Sequence, residues 1–231
     1  MLDWSQIDTV LLDMDGTLLD LHFDNYFWLH HLPQRYAEIQ GISLESAKVM
    51  LKSEYDQLQG KLEWYCLDYW GERLQLPIAE LKREVMHKIQ MRADVPEFLT
   101  ALKRSGRRIV LVTNAHPASL SLKIERTELA NYIDELISTH EFGVTKEQQA
   151  LWQQLQARLG FASARTLFVD DSLPILAAAQ TFGIKHLLAI KNPDSQLPVR
   201  DIEQFPAISD YRVLLADIEQ QPCPSVGLRP I

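Results

Sequence analysis

Two pairs of acidic residues have the spacing of a reactive site. Asp13 and Asp15 stand two positions apart in Leu12-Asp13-Met14-Asp15-Gly16-Thr17, directly after a short apolar run. Asp170 and Asp171 follow another such run in Phe168-Val-Asp170-Asp171-Ser172. A third run ends in Thr113-Asn114, and Lys146 stands alone in Phe142-Gly-Val-Thr-Lys146, just ahead of a helical stretch. Four carboxylates in one crevice repel one another unless a hard cation sits among them. Oxygen donors of this kind favour Mg²⁺ over zinc. A cation together with Lys146, the Thr113 hydroxyl and the Asn114 amide would receive an anion such as a phosphate ester. Cleaving such an ester takes a large acceleration, up to about 10²¹. One carboxylate can attack as nucleophile. A second must protonate the leaving alkoxide and then deprotonate water.

These residues meet only if the fold brings them to one rim. Apolar runs without alternation recur at 9–12, 108–112, 135–138, 166–169 and 186–190, as expected of strands buried on both faces. Helical segments at about 94–105, 117–130, 147–159 and 173–182 separate the later ones. Gly106, Gly160 and Gly183 follow three of these segments, where a left-handed C-cap belongs. Alternation of this kind predicts an α/β fold, a doubly wound parallel sheet with helices on both faces. In such a sheet ligands bind at the carboxyl ends of the strands, where every residue above falls. Gly16 lets the backbone turn away after Asp15 and approach a ligand closely.

The first two strands break the rhythm, with about 80 residues between them. The insert at 21–92 reads as all helical and is too long for a loop, so it predicts a small domain of its own. Residues 1–20 and 93–231 then form the main domain. Gly41, Gly60 and Gly71 punctuate the insert, and Pro33 and Pro77 mark breaks. The insert carries ten of the chain's 20 aromatic residues, most of them expected to build its own core. Leu62, Tyr65 and Tyr69 share one helical face, and Trp64 with Leu67 another. Asn192 to Pro206 reads as irregular surface, Ser209 to Gln220 as a short helix, and the end beyond Pro222 as frayed.

The whole chain has 231 residues, 46% apolar and 23% charged, values ordinary for a globular protein with a core of useful size. Its formal charge is −8, from 23 Lys and Arg against 31 Asp and Glu. That balance, without any basic run, argues against nucleic acid and anionic membranes as partners. The pairs Lys82-Arg83 and Arg107-Arg108 read as solvated surface. His30-His31 and His116 read as surface or packing residues, and Cys66 as buried and inert. Cys66 and Cys223 have neither metal-ligand spacing nor a disulfide framework, which suits the reducing cytoplasm. The N-terminal residues lack the basic start of a signal peptide, and no apolar stretch is long enough to span a membrane.

In order and context, Asp13-Met-Asp15-Gly-Thr17, Val112-Thr113-Asn114, Lys146 and Val169-Asp170-Asp171-Ser172 resemble the four motifs of the haloacid dehalogenase-like (HAD) phosphatases. The insert stands where that superfamily places its helical C1 cap. Several longer stretches resemble the purine 5′-nucleotidases within it: Leu18-Leu-Asp20-Leu-His-Phe-Asp24-Asn-Tyr-Phe-Trp28, Trp64-Tyr-Cys-Leu-Asp-Tyr-Trp70, Thr113-Asn-Ala-His-Pro117 and Asn192-Pro-Asp-Ser195.

The resemblance implies Asp13 as nucleophile, Asp15 as general acid and base, and Thr113, Asn114 and Lys146 as the phosphate-binding set. It implies Mg²⁺ held by Asp13, the Asp15 backbone carbonyl, Asp170 and Asp171. Many relatives carry Gly-Asp with a second acid four positions after that Asp, where this chain has Asp170-Asp171 and then Ile175. Asp171 is therefore expected on the ion, and Asp170 there directly or through water. The implied substrate is a small nucleotide such as GMP or IMP, with one or two insert aromatics stacked on the purine and the Asp20–Asn25 cluster facing it. A sugar phosphatase or phosphomutase is the alternative. Asp15 argues against a dehalogenase, and the early position of Asp13 together with the long insert argues against a phosphoacceptor switch domain.

Overall fold

The computed structural model describes residues 2–223; the stretch beyond Pro222 expected to fray lies almost wholly outside it. Six strands form one parallel sheet: β1 (Thr9–Leu12), β2 (Arg108–Thr113), β3 (Glu135–Ser138), β4 (Thr166–Asp170), β5 (His186–Ile190) and β6 (Ala207–Ile208). Their order is β3-β2-β1-β4-β5-β6, so the chain winds outward in one direction from β1 and in the other from β4. The crevice of a doubly wound sheet opens at that reversal, between β1 and β4. There Leu12 pairs with Val169, and the Asp13 amide continues the ladder by donating to the Val169 carbonyl at 3.0 Å. The two-residue β6 was not expected from the sequence.

Because side chains alternate across a strand, the sheet divides the core in two. Val10, Leu12, Ile109, Leu111, Leu167 and Val169 face α7 (Val95–Arg104), α8 (Pro117–Arg126) and α11 (Leu215–Gln220). Leu11, Val110, Val112 and Phe168 face α9 (Gln149–Leu159) and α10 (Leu173–Phe182). The helices stop where chain chemistry says they should. Gly160 and Gly183 take the left-handed conformation that closes α9 and α10.

Between β1 and β2 lie α1 (His22–Tyr26), α2 (Leu32–Gln40), α3 (Leu44–Leu58), α4 (Leu62–Tyr65), α5 (Leu67–Leu74) and α6 (Ile78–Glu84). The chain leaves and returns on adjacent segments: Asp20 N–H donates to the Gln90 carbonyl, and Arg92 N–H to the Leu18 carbonyl. The insert's apolar residues, among them Phe23, Phe27, Leu51 and Trp70, are continuous with the cluster on the α7 side of the sheet.

Pro33 does not break the chain as expected. A π-helical turn over Phe27–His31 joins α1 to α2, with the Leu32 amide bonded to the Phe27 carbonyl five residues back. Pro33 has no N–H to give, and the Trp28 carbonyl five residues before it accepts the Tyr55 hydroxyl instead, at 3.2 Å. Gly71 likewise lies inside α5 rather than at a boundary. The real break falls at Cys66, which ends α4 and begins α5, so the two aromatic faces read from one continuous helix belong to two. Arg107 is buried, not solvated. Its guanidinium donates to the carbonyls of Ile7 and Trp4, holding the N-terminal segment against β2. Among the described residues no helix is long and apolar enough to cross a membrane.

Candidate active site

Each of the seven residues singled out by the sequence lies at the rim where β1, β2 and β4 end, and all seven line one cavity of about 300 Å³. Asp13 and Lys146 are buried, and the Lys146 ammonium donates to Asp13 Oδ1 at 2.6 Å and to Asp170 Oδ2 at 2.8 Å. Burial alone would lower the Lys146 pKa, but Asp13 and Asp170 outweigh it and hold the group firmly protonated. Asp170 is committed at both oxygens, since Oδ1 accepts the Ser172 amide at 2.8 Å. Burial and Asp13 raise its pKa to about 7 in spite of Lys146.

Asp171 is freer, with the Arg200 guanidinium 3.9 Å away; burial and the neighbouring Asp170 and Asp13 raise its pKa well above the usual carboxylate range. Carboxylate oxygens of Asp13, Asp170 and Asp171 lie within 4.8 Å of one another. Gly16 makes the approach of the two acidic segments possible. Its φ is +82°, and a Cβ there would meet Asp171 Cγ at 2.8 Å and Pro193 Cβ at 2.9 Å. The close contacts at this glycine are with Asp171 and Pro193.

Asp15 turns away from this cluster. Its carboxylate lies 2.6 Å from the Lys123 ammonium, which also donates to Asp24 Oδ2 at 2.6 Å. Burial, Asp24 and Asp13 push the Asp15 pKa up to about 6, with Lys123 working against them. Asp24 in turn accepts from Lys82 at 2.7 Å, and the two lysines overcome burial to hold its carboxyl well below the ordinary range. Lys82 is therefore not solvated surface as expected; it is buried in the cavity wall, where desolvation lowers its own pKa. Neither Lys82 nor Lys123 was singled out in the sequence as a site residue. A lysine on an amphipathic helix has no pattern that separates a buried ammonium from an exposed one.

Thr113 is buried and its hydroxyl accepts the Ala115 amide at 3.0 Å, leaving its proton available to the cavity. Asn114 lines the cavity but acts as a strap. Its Oδ1 accepts the Lys146 amide and the Thr139 hydroxyl, both at 3.0 Å, and its Nδ2 donates to Glu147 Oε2 at 3.0 Å. The Asp20–Asn25 cluster divides in two. Asp24 and Asn25 reach the cavity, with Asn25 Nδ2 bonded to Asp194 Oδ2 at 2.7 Å. Asp20 instead accepts the amides of His22 and Ser195 at the base of the insert.

The opposite wall is apolar and comes from the insert: Leu21, Trp28, Leu29, Trp64, Tyr65 and Leu67. Trp28, Tyr55, Trp64 and Trp70 pack as one aromatic cluster, Trp28 and Trp64 with stacked rings 6.3 Å apart. Trp70 and Tyr55 are buried in the insert's core. Tyr65 reaches across to the main sheet, its hydroxyl donating to Glu147 Oε1 at 3.1 Å. His116 is neither surface nor packing alone: it caps α8 by accepting the Ala118 amide on Nδ1 at 3.2 Å, and it lines the cavity. The cavity is thus anionic and cationic at one end and flat and apolar at the other, a shape for a ligand with a charged head and a planar body.

A parallel sheet with this strand order, its acids and lysine gathered at the β1–β4 reversal, belongs to a definite class. The model of the haloacid dehalogenase-like hydrolase family matches residues 7–183, and the chain belongs to that family of enzymes. Over 215 residues, 93% of this chain and 97% of the relative, it is 45% identical to the GMP/IMP nucleotidase YrfG of Escherichia coli K12. It is 23% identical to an (S)-2-haloacid dehalogenase of Pseudomonas sp. strain YL, over 77% of this chain and 80% of that one. Among solved structures, a HAD phosphatase from Thermococcus onnurineus superposes with a TM-score of 0.77 at 23% identity, covering 94% of this chain and all of the other.

Proposed function

We propose that this enzyme is a Mg²⁺-dependent phosphomonoesterase that hydrolyses purine nucleoside 5′-monophosphates, GMP and IMP among them, to nucleoside and phosphate in the cytoplasm. The observation that carries the reading is the two-ended cavity, with Asp13, Thr113 and Lys146 at one end and Trp28, Trp64 and Tyr65 at the other. Its 45% identity to a GMP/IMP nucleotidase supports the same substrate class. Residues 1–20 and 93–231 act as the catalytic core, and 21–92 as a C1-type cap.

The donor set fits the ion. Asp13 Oδ2 is buried without a hydrogen-bond partner, a costly state for a carboxylate oxygen unless a cation completes it. All the clustered donors are hard oxygens, which suit Mg²⁺. Asp13, Asp171 and the Asp15 backbone carbonyl would hold it, with Asp170 contributing directly or through water. When bound, Mg²⁺ supplies positive charge against the phosphoryl oxygens and offsets the repulsion between them and the acids.

Asp13 then attacks phosphorus in line, giving an aspartyl-phosphate, while the P–O bond to the ribose 5′ oxygen breaks. Asp15, kept partly protonated by its raised pKa, delivers its proton to that leaving oxygen. The carboxylate left behind takes a proton from water, which hydrolyses the acyl-phosphate and returns Asp13. Lys146 and the Thr113 hydroxyl hold the equatorial oxygens throughout. Asn114 fixes the Lys146 backbone. Trp28 and Trp64 offer ring faces to the purine, and the insert excludes bulk water.

The test is phosphate release across nucleoside monophosphates and sugar phosphates with Mg²⁺ present. GMP and IMP should lead in kcat/KM; equal or faster cleavage of sugar phosphates would overturn the nucleotide assignment. Asp13→Asn should lower kcat at least about 10³-fold and abolish the acid-stable phosphoenzyme.

A further inference from the structure

A second set of donors meets where the insert touches the main sheet, away from the acidic cluster. Cys66 stands between α4 and α5, His116 just ahead of α8, and His140 in the 3₁₀ turn Thr139–Phe142. The Cys66 sulfur and one nitrogen of each imidazole lie within 4.8 Å of one another. Three separate chain segments thus converge on one point, and their chemistry is unlike that of the carboxylates nearby.

Each donor is presented in a form that suits a metal. His140 Nε2 is buried with no hydrogen-bond partner, while the ring is hydrogen-bonded to the Asn114 backbone. With that bond on Nδ1, the neutral ring would carry its proton there and leave the Nε2 lone pair idle. A buried lone pair without a partner is costly, and a backbone carbonyl on the far nitrogen is the usual support of a metal-binding histidine. Burial and His116 lower the His140 pKa and keep the ring neutral.

His116 Nδ1 is also unprotonated, because it accepts the Ala118 amide, and its Nε2 lies 3.4 Å from the Asp68 carboxylate. Binding a cation on Nδ1 displaces only a first-turn amide, which water can satisfy. Cys66 Sγ accepts the Tyr69 amide at the start of α5, 3.5 Å away, so its sulfur is held in place at the junction of the two helices. Cys66 is half-buried, not sealed in the core as expected from the sequence.

We propose that Cys66, His116 and His140 form a second metal site, for Zn²⁺ or a cation of similar softness, that ties the insert to the main sheet beside the cavity mouth. One sulfur and two imidazoles are the donors that select zinc and reject Mg²⁺, and a water completes the tetrahedron. Loading releases the Cys66 proton to solvent, so affinity rises with pH. The assignment does not depend on the substrate.

The experiment is a Co²⁺ titration of the full chain in saturating Mg²⁺, which occupies the acidic crevice. Wild type and Cys223→Ser should each bind one Co²⁺ with a thiolate-to-cobalt charge-transfer band that added Zn²⁺ removes. Cys66→Ser should lose the band, and His140→Ala and His116→Ala should each weaken binding about tenfold or more, with circular dichroism confirming the fold of each variant. No band in wild type, or a band that persists in Cys66→Ser or is unchanged by both histidine substitutions, would overturn the proposal.

Discussion

The Lys123 ammonium lies 2.6 Å from Asp15 Oδ1, and the same nitrogen reaches Asp24 Oδ2 at 2.6 Å. A core lysine therefore holds the carboxylate proposed as acid and base on one side and an insert carboxylate on the other. Asp15 is kept apart from the oxygen cluster of Asp13, Asp170 and Asp171, which leaves it free to exchange a proton.

That contact sets a pH dependence. Lys123 lowers the Asp15 pKa, burial raises it, and the balance is about 6. Hydrolysis of the acyl-phosphate needs the carboxylate form, so kcat should fall as pH drops through about 6. Lys123→Met removes the lowering influence, and the acid limb should move to higher pH. A pH profile of kcat checks this; an unmoved limb in the variant means Lys123 does not tune Asp15.

Asp24 makes a stability prediction. Its folded pKa is depressed by Lys123 and Lys82, so its contribution is fully present above its unfolded value near 4 and is lost as pH falls below that toward the folded value. Asp24→Asn leaves two buried ammonium groups without their shared partner and should cost about 3–5 kcal/mol at neutral pH. Urea melts at pH 7 and pH 3 should differ less in the variant than in wild type.

Trp64 lines the apolar end of the cavity and packs on Tyr55 and Trp70. Stacking of a base on an aromatic ring is worth about 1–3 kcal/mol. Trp64→Ala should therefore raise KM for GMP about fivefold or more. KM for ribose 5-phosphate, which has no base, should change little. Parallel shifts for both substrates would mean that the ring only supports the insert.

Removal of divalent ions with EDTA should abolish turnover, because Asp13 Oδ2 is then buried without a partner and Lys146 alone faces the acids and the phosphate. Adding Mg²⁺ should restore the rate, and Ca²⁺, which prefers more ligands and longer bonds, should restore it poorly. Steady-state phosphate release measures both.

What the chain disclosed and what it hid have the same physical origin. Strands buried on two faces leave unbroken apolar runs, so β1, β3 and β5 were read to the residue. Asp13, Asp15 and Asp170 stand just after such runs, so their place at the rim was legible with them; Lys146 stands alone ahead of a helix and stood out only through its resemblance to a motif. Lys82, Lys123 and Arg107 were not, because a long cationic side chain covers apolar surface equally well whether its head reaches water or a buried acceptor. Cys66 and the two histidines lie on segments distant in sequence, and only folding reveals that they converge. The two residues of β6 are too few to leave a period, and the π turn at Phe27–His31 depends on the Tyr55 hydroxyl from another helix.

That π turn also determines which way its flanks look. An extra residue in one turn rotates everything beyond it by ~100° about the axis relative to a regular helix. Asp24 and Asn25, on the near side, reach the cavity, while Ala37, on the far side, is buried. A single rod is thus clocked to present one azimuth to the ligand and another to its own hydrophobic bed, and a one-residue deletion within 27–31 would put those two orientations out of phase.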